Sequence, residues 1–306
     1  MSANLSAPPD SRTLGESFVD SRAAHTLNKF ETLGKLAEKL QPLPVVLTRL
    51  AGTLEKGDCD LSSIADLIRM DPVLSLKLLK TANSAFSAGA IEVSTIEAAV
   101  LRLGLGLIST MAYAISVNKD MKTDLPAYNL APGELWRHSA EAAVAAENLV
   151  RISPHLIPPA TVTAALLHDV GKLVIAQSAS LEDMDRVRRA RKDSGLSLQD
   201  AEMEILEMNH GEVGYIVAQQ WGLPERISRA IMFHQTPELE DDRMCDAVYI
   251  AVLTAHAASK SADPESNVTE PAPEVIERLE LHHFDFKTFT ADCGRRFAKF
   301  RAFYGA

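Results

Sequence analysis

Five of the nine histidines of this chain fall on stretches with helical patterning, or at their ends: His138, His168, His210, His234 and His256. His168 is followed at once by Asp169, within Leu166-Leu167-His168-Asp169-Val170-Gly171-Lys172. Neighbouring residues on a helix project about 100° apart, so this imidazole and this carboxylate can both face one cavity between helices. Imidazole with carboxylate is a mixed donor set suited to Fe, Mn, Zn or Mg. Gly171 lets the chain pass close to a neighbour, and Lys172 is placed to contact a phosphate. The same groups have a plainer use as a buried, hydrogen-bonded polar cluster. The residues alone leave both readings open.

Composition limits what such a site could serve. The 306 residues are 46% hydrophobic and 24% charged, enough apolar chain to bury a large core and too much for a disordered one. Lys and Arg number 31 against 41 Asp and Glu, a formal charge of −10. A phosphate-backbone binder normally carries the opposite sign, so nucleic acid is not an expected partner. The one dense basic run, Arg186, Arg188, Arg189, Arg191 and Lys192, follows Glu182, Asp183 and Asp185. That order complements a helix dipole and reads as a solvated helix, or more sharply as a docking face for an acidic partner. Lys77 and Lys80 read as a solvated face. Cys59, Cys245 and Cys293 are odd in number and form no C-x-x-C pair, which fits a reducing compartment. Residues 1–22 lack the basic flank and apolar core of a signal peptide, and the longest apolar run, near 105–117, is too short to span a bilayer. The expectation is a cytoplasmic protein without membrane contact.

The elements that must position these residues all have the helical period, and Ala and Leu dominate them. The fold class is therefore all-α. Residues 1–25 form a flexible tail, 26–122 a first helical lobe, 123–260 a second, and 261–306 a linker with a C-terminal helical extension. In the first lobe a helix is predicted over 27–40 and another over 45–55. Asp60 caps a third, carrying Ile64, Leu67 and Ile68. Asp71-Pro72 opens a fourth, with Val73, Leu76, Leu78 and Leu79 as its apolar stripe. Ser94-Thr95-Ile96-Glu97 reads as a capping box opening a helix over 96–103, which Gly104 ends, and 105–121 follows. Asn83 is taken as a cap residue before a ligand. In the second lobe helices are predicted over 133–152, carrying Trp136 and His138, and over 160–178 as one rod bearing His168 and Asp169. Further helices cover 181–192, a segment starting at Ser197, 210–221, 224–234 and 246–259. A linker over 261–273 precedes a helix or helix pair over 274–303.

The ordered motifs resemble one branch of the HD superfamily of metal-dependent phosphohydrolases, the HDOD (HD-related output) domain. The matches begin with Leu43-Pro44, Asp71-Pro72-Val73-Leu74, Ala82-Asn83-Ser84 and Ser94-Thr95-Ile96-Glu97. They continue through Trp136-x-His138-Ser139, Leu166–Leu173, His210-Gly211-Glu212-Val213-Gly214 and Trp221-Gly222-Leu223-Pro224 to Ala230-Ile231-x-x-His234. The resemblance implies an N-terminal helical lobe packed on an HD-like helical lobe, and a bacterial signalling protein, regulatory rather than catalytic. The superfamily binds metal through an early His, the His-Asp doublet and a late Asp. His138, His168 and Asp169 match the first three. The late position falls in the 247–258 helix on Val252, or on His256 in a shifted register, so the carboxylate is missing. His210 and His234 match later histidines of the cyclic-di-GMP phosphodiesterase branch. Gln235 replaces the second member of its His-His pair, and Thr236-Pro237-Glu238-Leu239 stands where Gly-Tyr-Pro is expected. The resemblance thus implies a vestigial site with no metal or a weakly bound one, and signalling proteins as partners. The alternative is a phosphohydrolase acting on a nucleotide or cyclic nucleotide, with His138, His168 and Asp169 on the metal and Lys172 on the phosphate. Oligomeric state is not legible.

Overall fold

The computed structural model describes residues 34–35, 37–38, 40, 43–56, 61–83, 93–104, 108–109, 111–112, 121–153, 155–258 and 270–304. The tail of residues 1–25, Cys59, Asp60, and most of the 27–40 and 105–121 helices and of the 261–273 linker lie outside these. The described residues are helical, with one isolated antiparallel bridge between Leu125 and Leu130 and no strand.

The first lobe holds α1 (Val45–Lys56), α2 (Leu61–Arg69), α3 (Pro72–Ala82) and α4 (Ile96–Leu103). Asp71 starts α3 as its chemistry demands: its carboxylate accepts from Val73 N at 2.9 Å and Leu74 N at 3.0 Å, with Pro72 in the first turn. The apolar stripe of α3 is rotated from the expected one. Leu74, Leu78 and Ala82 are buried against its neighbours, while Val73 and Leu76 stand in solvent. The expected capping box is not made either. Thr95, not Ser94, caps α4 through Ala98 N, and Glu97 pairs with Arg69 of α2. Thr95 begins the helix one residue later than expected, and Glu97 joins a guanidinium on a packed neighbour. Asn83 is structural: its amide bonds both backbone groups of Val93, each at 2.7 Å, tying the end of α3 to the approach to α4.

In the second lobe α5 (Glu134–Ile152) lies inside a ring formed by α6 (Thr161–Leu167), α12 (Arg243–Ala258) and α14 (Phe286–Tyr304). Its Ala-rich sequence allows this, since small side chains let helices approach on several faces; Ala140, Ala142, Ala143, Ala145 and Ala146 are all buried. Around this core run α7 (Gly171–Ser178), α8 (Leu181–Ser194), α9 (Leu198–Leu206), α10 (His210–Gln220), α11 (Glu225–Met232) and α13 (Pro273–Arg278). The basic run lies on α8, which Ser180 caps and Gly195 ends, as its charge order implies.

The single rod expected over 160–178 is broken. His168, Asp169 and Val170 form a tight turn between α6 and α7, held by i+3 bonds from Val170 N to Leu167 O and from Lys172 N to Asp169 O, both 3.0 Å. The cause is the next residue. Gly171 crosses α10 so closely that a Cβ there would strike the His210 carbonyl oxygen and lie 2.6 Å from Gly214 N. The lobes meet where Thr48 of α1 donates to the Trp221 carbonyl at 3.2 Å, beside Gly222, whose φ of 70° a side chain would strain. No described helix is long and apolar enough to cross a membrane.

Candidate metal centre

The turn between α6 and α7 aims Asp169 at the middle of the second lobe. His138 reaches it from α5, His168 from the turn itself, His210 from the start of α10 and His234 from the end of α11. All five candidate residues predicted from the sequence therefore meet, and all are buried. Their ligand atoms form two triads, His138 with His168 and Asp169, and Asp169 with His210 and His234, each within 4.8 Å. Asp169 belongs to both, so it stands between two places for a cation.

Three of the rings are pinned so that Nε2 faces inward. His168 Nδ1 lies 2.8 Å from Ala165 O, and His234 Nδ1 lies 2.7 Å from Ile231 O. A carbonyl oxygen only accepts, so both Nδ1 atoms carry the hydrogen. His210 Nδ1 lies 2.6 Å from Glu202 Oε2, a carboxylate with the same requirement. Such outer partners fix the tautomer and direct the remaining lone pair, as they do in metal sites. The inward Nε2 atoms face one another and Asp169: His210 Nε2 is 3.3 Å from His234 Nε2 and 3.5 Å from Asp169 Oδ1. His168 Nε2 is 3.3 Å from Asp169 Oδ2. Lone pairs and a carboxylate at these distances repel unless a proton or a cation sits among them.

Burial, reinforced by neighbouring histidines, holds His138 and His234 well below the usual imidazole range, so neither takes a proton readily. Burial alone would raise Asp169, but His168, Lys172 and His210 outweigh it and hold the carboxyl well below its ordinary value. Both ring nitrogens of His138, Nε2 of His168 and Oδ1 of Asp169 are buried without a hydrogen bond. Orphaned buried donors of this kind, imidazole with carboxylate, fit a divalent metal. Lys172 Nζ, 2.8 Å from Asp169 Oδ2, supplies part of the needed positive charge.

The sequence reading missed the outer layer. Glu202 of α9 accepts from both N and Nδ1 of His210, and Tyr128 OH donates to its other oxygen at 2.8 Å. Burial and Glu202 push the Tyr128 hydroxyl well above its usual range, so it stays a neutral donor, and Lys172 Nζ rests over its ring. Neither residue has a motif. Glu202 is eight positions before His210, and only the turn between α9 and α10 brings it back. On α12, Val252 is buried among apolar side chains, while His256 places its ring 4.4 Å from that of His138. Asp246, the one carboxylate of α12, is bound by Arg278 instead. Gln235 Nε2 approaches His210 Nε2 at 3.5 Å, on the side opposite Glu202's bond.

An all-helical protein with a buried His/Asp centre between packed helices is thus defined by both fold and site. The HDOD domain family model matches residues 40–237, most of the chain, and the chain belongs to that family. It is 25% identical over 198 residues to an uncharacterized protein of Treponema pallidum (strain Nichols); the match spans 64% of this chain and only 38% of that relative. An HDOD domain protein of unknown function from Geobacter sulfurreducens superimposes with a TM-score of 0.63 at 25% identity, covering 90% of this chain and 97% of its own. A Marinobacter aquaeolei VT8 protein whose name places it in signal transduction gives 0.65 at 20% identity, over 87% of this chain and 59% of that one.

Proposed function

We propose that the chain is a non-catalytic signalling module that acts by binding protein partners, with a closed His/Asp centre that holds a divalent cation to stabilise the second lobe. The observation that carries this reading is closure. His168, His210 and His234 have no exposed surface, and Asp169 is 1% exposed with Lys172 already paired to it. Structural metal sites are closed, whereas catalytic ones keep a position open to water and substrate. The first lobe adds surface for partners, since Val45, Met70, Val73, Leu76 and Leu101 are large, apolar and exposed.

A second reading, phosphohydrolysis of a nucleotide or cyclic nucleotide, draws on the inward Nε2 atoms and on Lys172. His138, His168 and Asp169, with His210 and His234, would hold the metal, and Lys172 would steady a phosphate. A bound metal would there supply activation of water and polarisation of a phosphoryl oxygen. The two readings separate in one experiment. Metal per chain is measured by elemental analysis on protein purified without chelator or affinity metal, and the same sample is assayed on cyclic-di-GMP and on bis-nitrophenyl phosphate. Bound metal with no turnover, and a melting temperature lowered by Asp169→Asn, is the expected result. Turnover that Asp169→Asn abolishes would replace the first reading with the second. A metal-free protein that stays so after incubation with Fe, Mn, Zn or Mg would leave the donors a polar cluster and remove the cation from the proposal.

A further inference from the structure

Away from the histidines, a cavity of about 540 Å³ opens where the first lobe, the second lobe and the C-terminal helix meet. Its size falls among small-molecule sites, roughly 300–1,000 Å³. Arg102 of α4, Arg151 of α5 and Arg296 of α14 line it, with one acid among the described lining residues, Glu147 of α5. Leu103 and Val162 give it apolar walls. Three guanidinium groups against one carboxylate is the reverse of the charge of the whole chain, −10.

The arrangement is built. Asn148 donates to Cys293 Sγ at 3.1 Å and seats α14 on α5, and Arg296 lies 3.5 Å from Glu147 Oε1. Gly104, with φ of 80°, turns the chain at the end of α4, where a Cβ would come 3.9 Å from the same Glu147 oxygen. Arg102 is steadied by the Ala82 carbonyl at 3.2 Å, and Arg151 by Asn148 at 3.5 Å.

We propose that this cavity binds a small organic phosphate. A planar carboxylate is satisfied by one or two forks, whereas a tetrahedral phosphate presents oxygens toward three, and guanidinium is the side chain best matched to it. The apolar walls and the volume call for a body attached to the phosphate. Glu147 tunes the site. Burial lifts its carboxyl to about 7, with Arg151 opposing, so near neutrality it gives up its charge beside an incoming anion. The other charged groups around it are Arg296 from α14, Arg102 from α4 and Arg151 on its own helix; α6 contributes the apolar Val162. The inference goes beyond the signalling reading and does not rest on the metal.

The test is isothermal titration calorimetry on the full chain as purified without chelator. GMP is the probe, and inorganic phosphate and guanosine are separate arms. GMP should saturate one site, with each half-ligand at least about tenfold weaker. An Arg151→Gln/Arg296→Gln double variant should weaken GMP at least about tenfold. Glu147→Gln keeps all three guanidinium groups. It should tighten GMP severalfold near pH 8, where Glu147 is charged, and change nothing near pH 5.5, where it is already neutral. The proposal is overturned by any of three results: no saturable GMP binding at millimolar concentration, affinity unmoved by both variants, or binding that survives the double variant and is lost in Asp169→Asn, which would put the nucleotide on the His/Asp centre.

Discussion

Glu202 shows how much a single residue outside the donor set can decide. It holds His210 in the tautomer that turns Nε2 inward, and it is itself held by Tyr128. Outer-layer partners of this kind are worth roughly 10–100-fold in metal affinity. Glu202→Gln, which keeps the size and loses the charge, should weaken metal binding by that order in a competition titration with a chromophoric chelator. The ¹⁵N shifts of His210 should report a mixed tautomer, a readout that mere loosening of the fold would not produce. Glu147 yields a pH prediction of definite sign. Its carboxyl is lifted from an ordinary 4.5 to about 7, chiefly by burial. The folded state therefore holds the proton more tightly than the unfolded one, so stability falls as pH rises from about 4.5 to about 7 and is flat beyond. At about 1.4 kcal/mol per unit the upper bound is on the order of 3 kcal/mol. Urea unfolding at a series of pH values should show that slope, and Glu147→Gln should remove it.

At the scale of elements, the crossing of α7 over α10 sets the site. Gly171 and Gly214 bring the two backbones together, and that contact forces the turn that presents His168 and Asp169. A methyl group at 171 meets main-chain atoms, which cannot swing aside, so α7 must slide off α10. Gly171→Ala should cost about 1–3 kcal/mol or more, the usual range for overpacking. It should also abolish metal binding while leaving helix content by circular dichroism near the parent's. Retained metal affinity in a destabilised variant would mean that the crossing does not position the donors.

At the scale of the whole molecule, the C-terminal helices are tied to the second lobe by charge as well as packing. Arg278 of α13 grips Asp246 of α12, bonding through Nε at 2.8 Å and through Nη2, and the acid is wholly buried. Burial pushes Asp246 above the ordinary carboxylate range and Arg278 pulls it back. Removing one partner of such a pair leaves a buried charge, at a cost of about 3–5 kcal/mol. Arg278→Ala should lower the melting temperature accordingly. An Arg278→Ala/Asp246→Asn pair should recover much of the loss, because the stranded charge is gone.

The amino-acid sequence by itself determined the helical class, most helix starts and which His and Asp residues could cluster. Those features are local: a carboxylate before Pro72, a glycine at 104, an Ala-rich period over 134–152, histidines within matched motifs. Here the written order of residues is the physical cause. What tertiary structure decided is everything that depends on a partner distant in the chain. Glu97 found Arg69 of α2, the stripe of α3 turned to Leu74 and Leu78, and one expected rod broke at His168 where Gly171 met α10. Glu202 and Tyr128 became the outer layer of the site, and Arg102, Arg151 and Arg296 came to share one cavity. Side-chain pairing across helices is selected by packing distance, and no periodicity within a helix encodes which neighbour will stand 3 Å away.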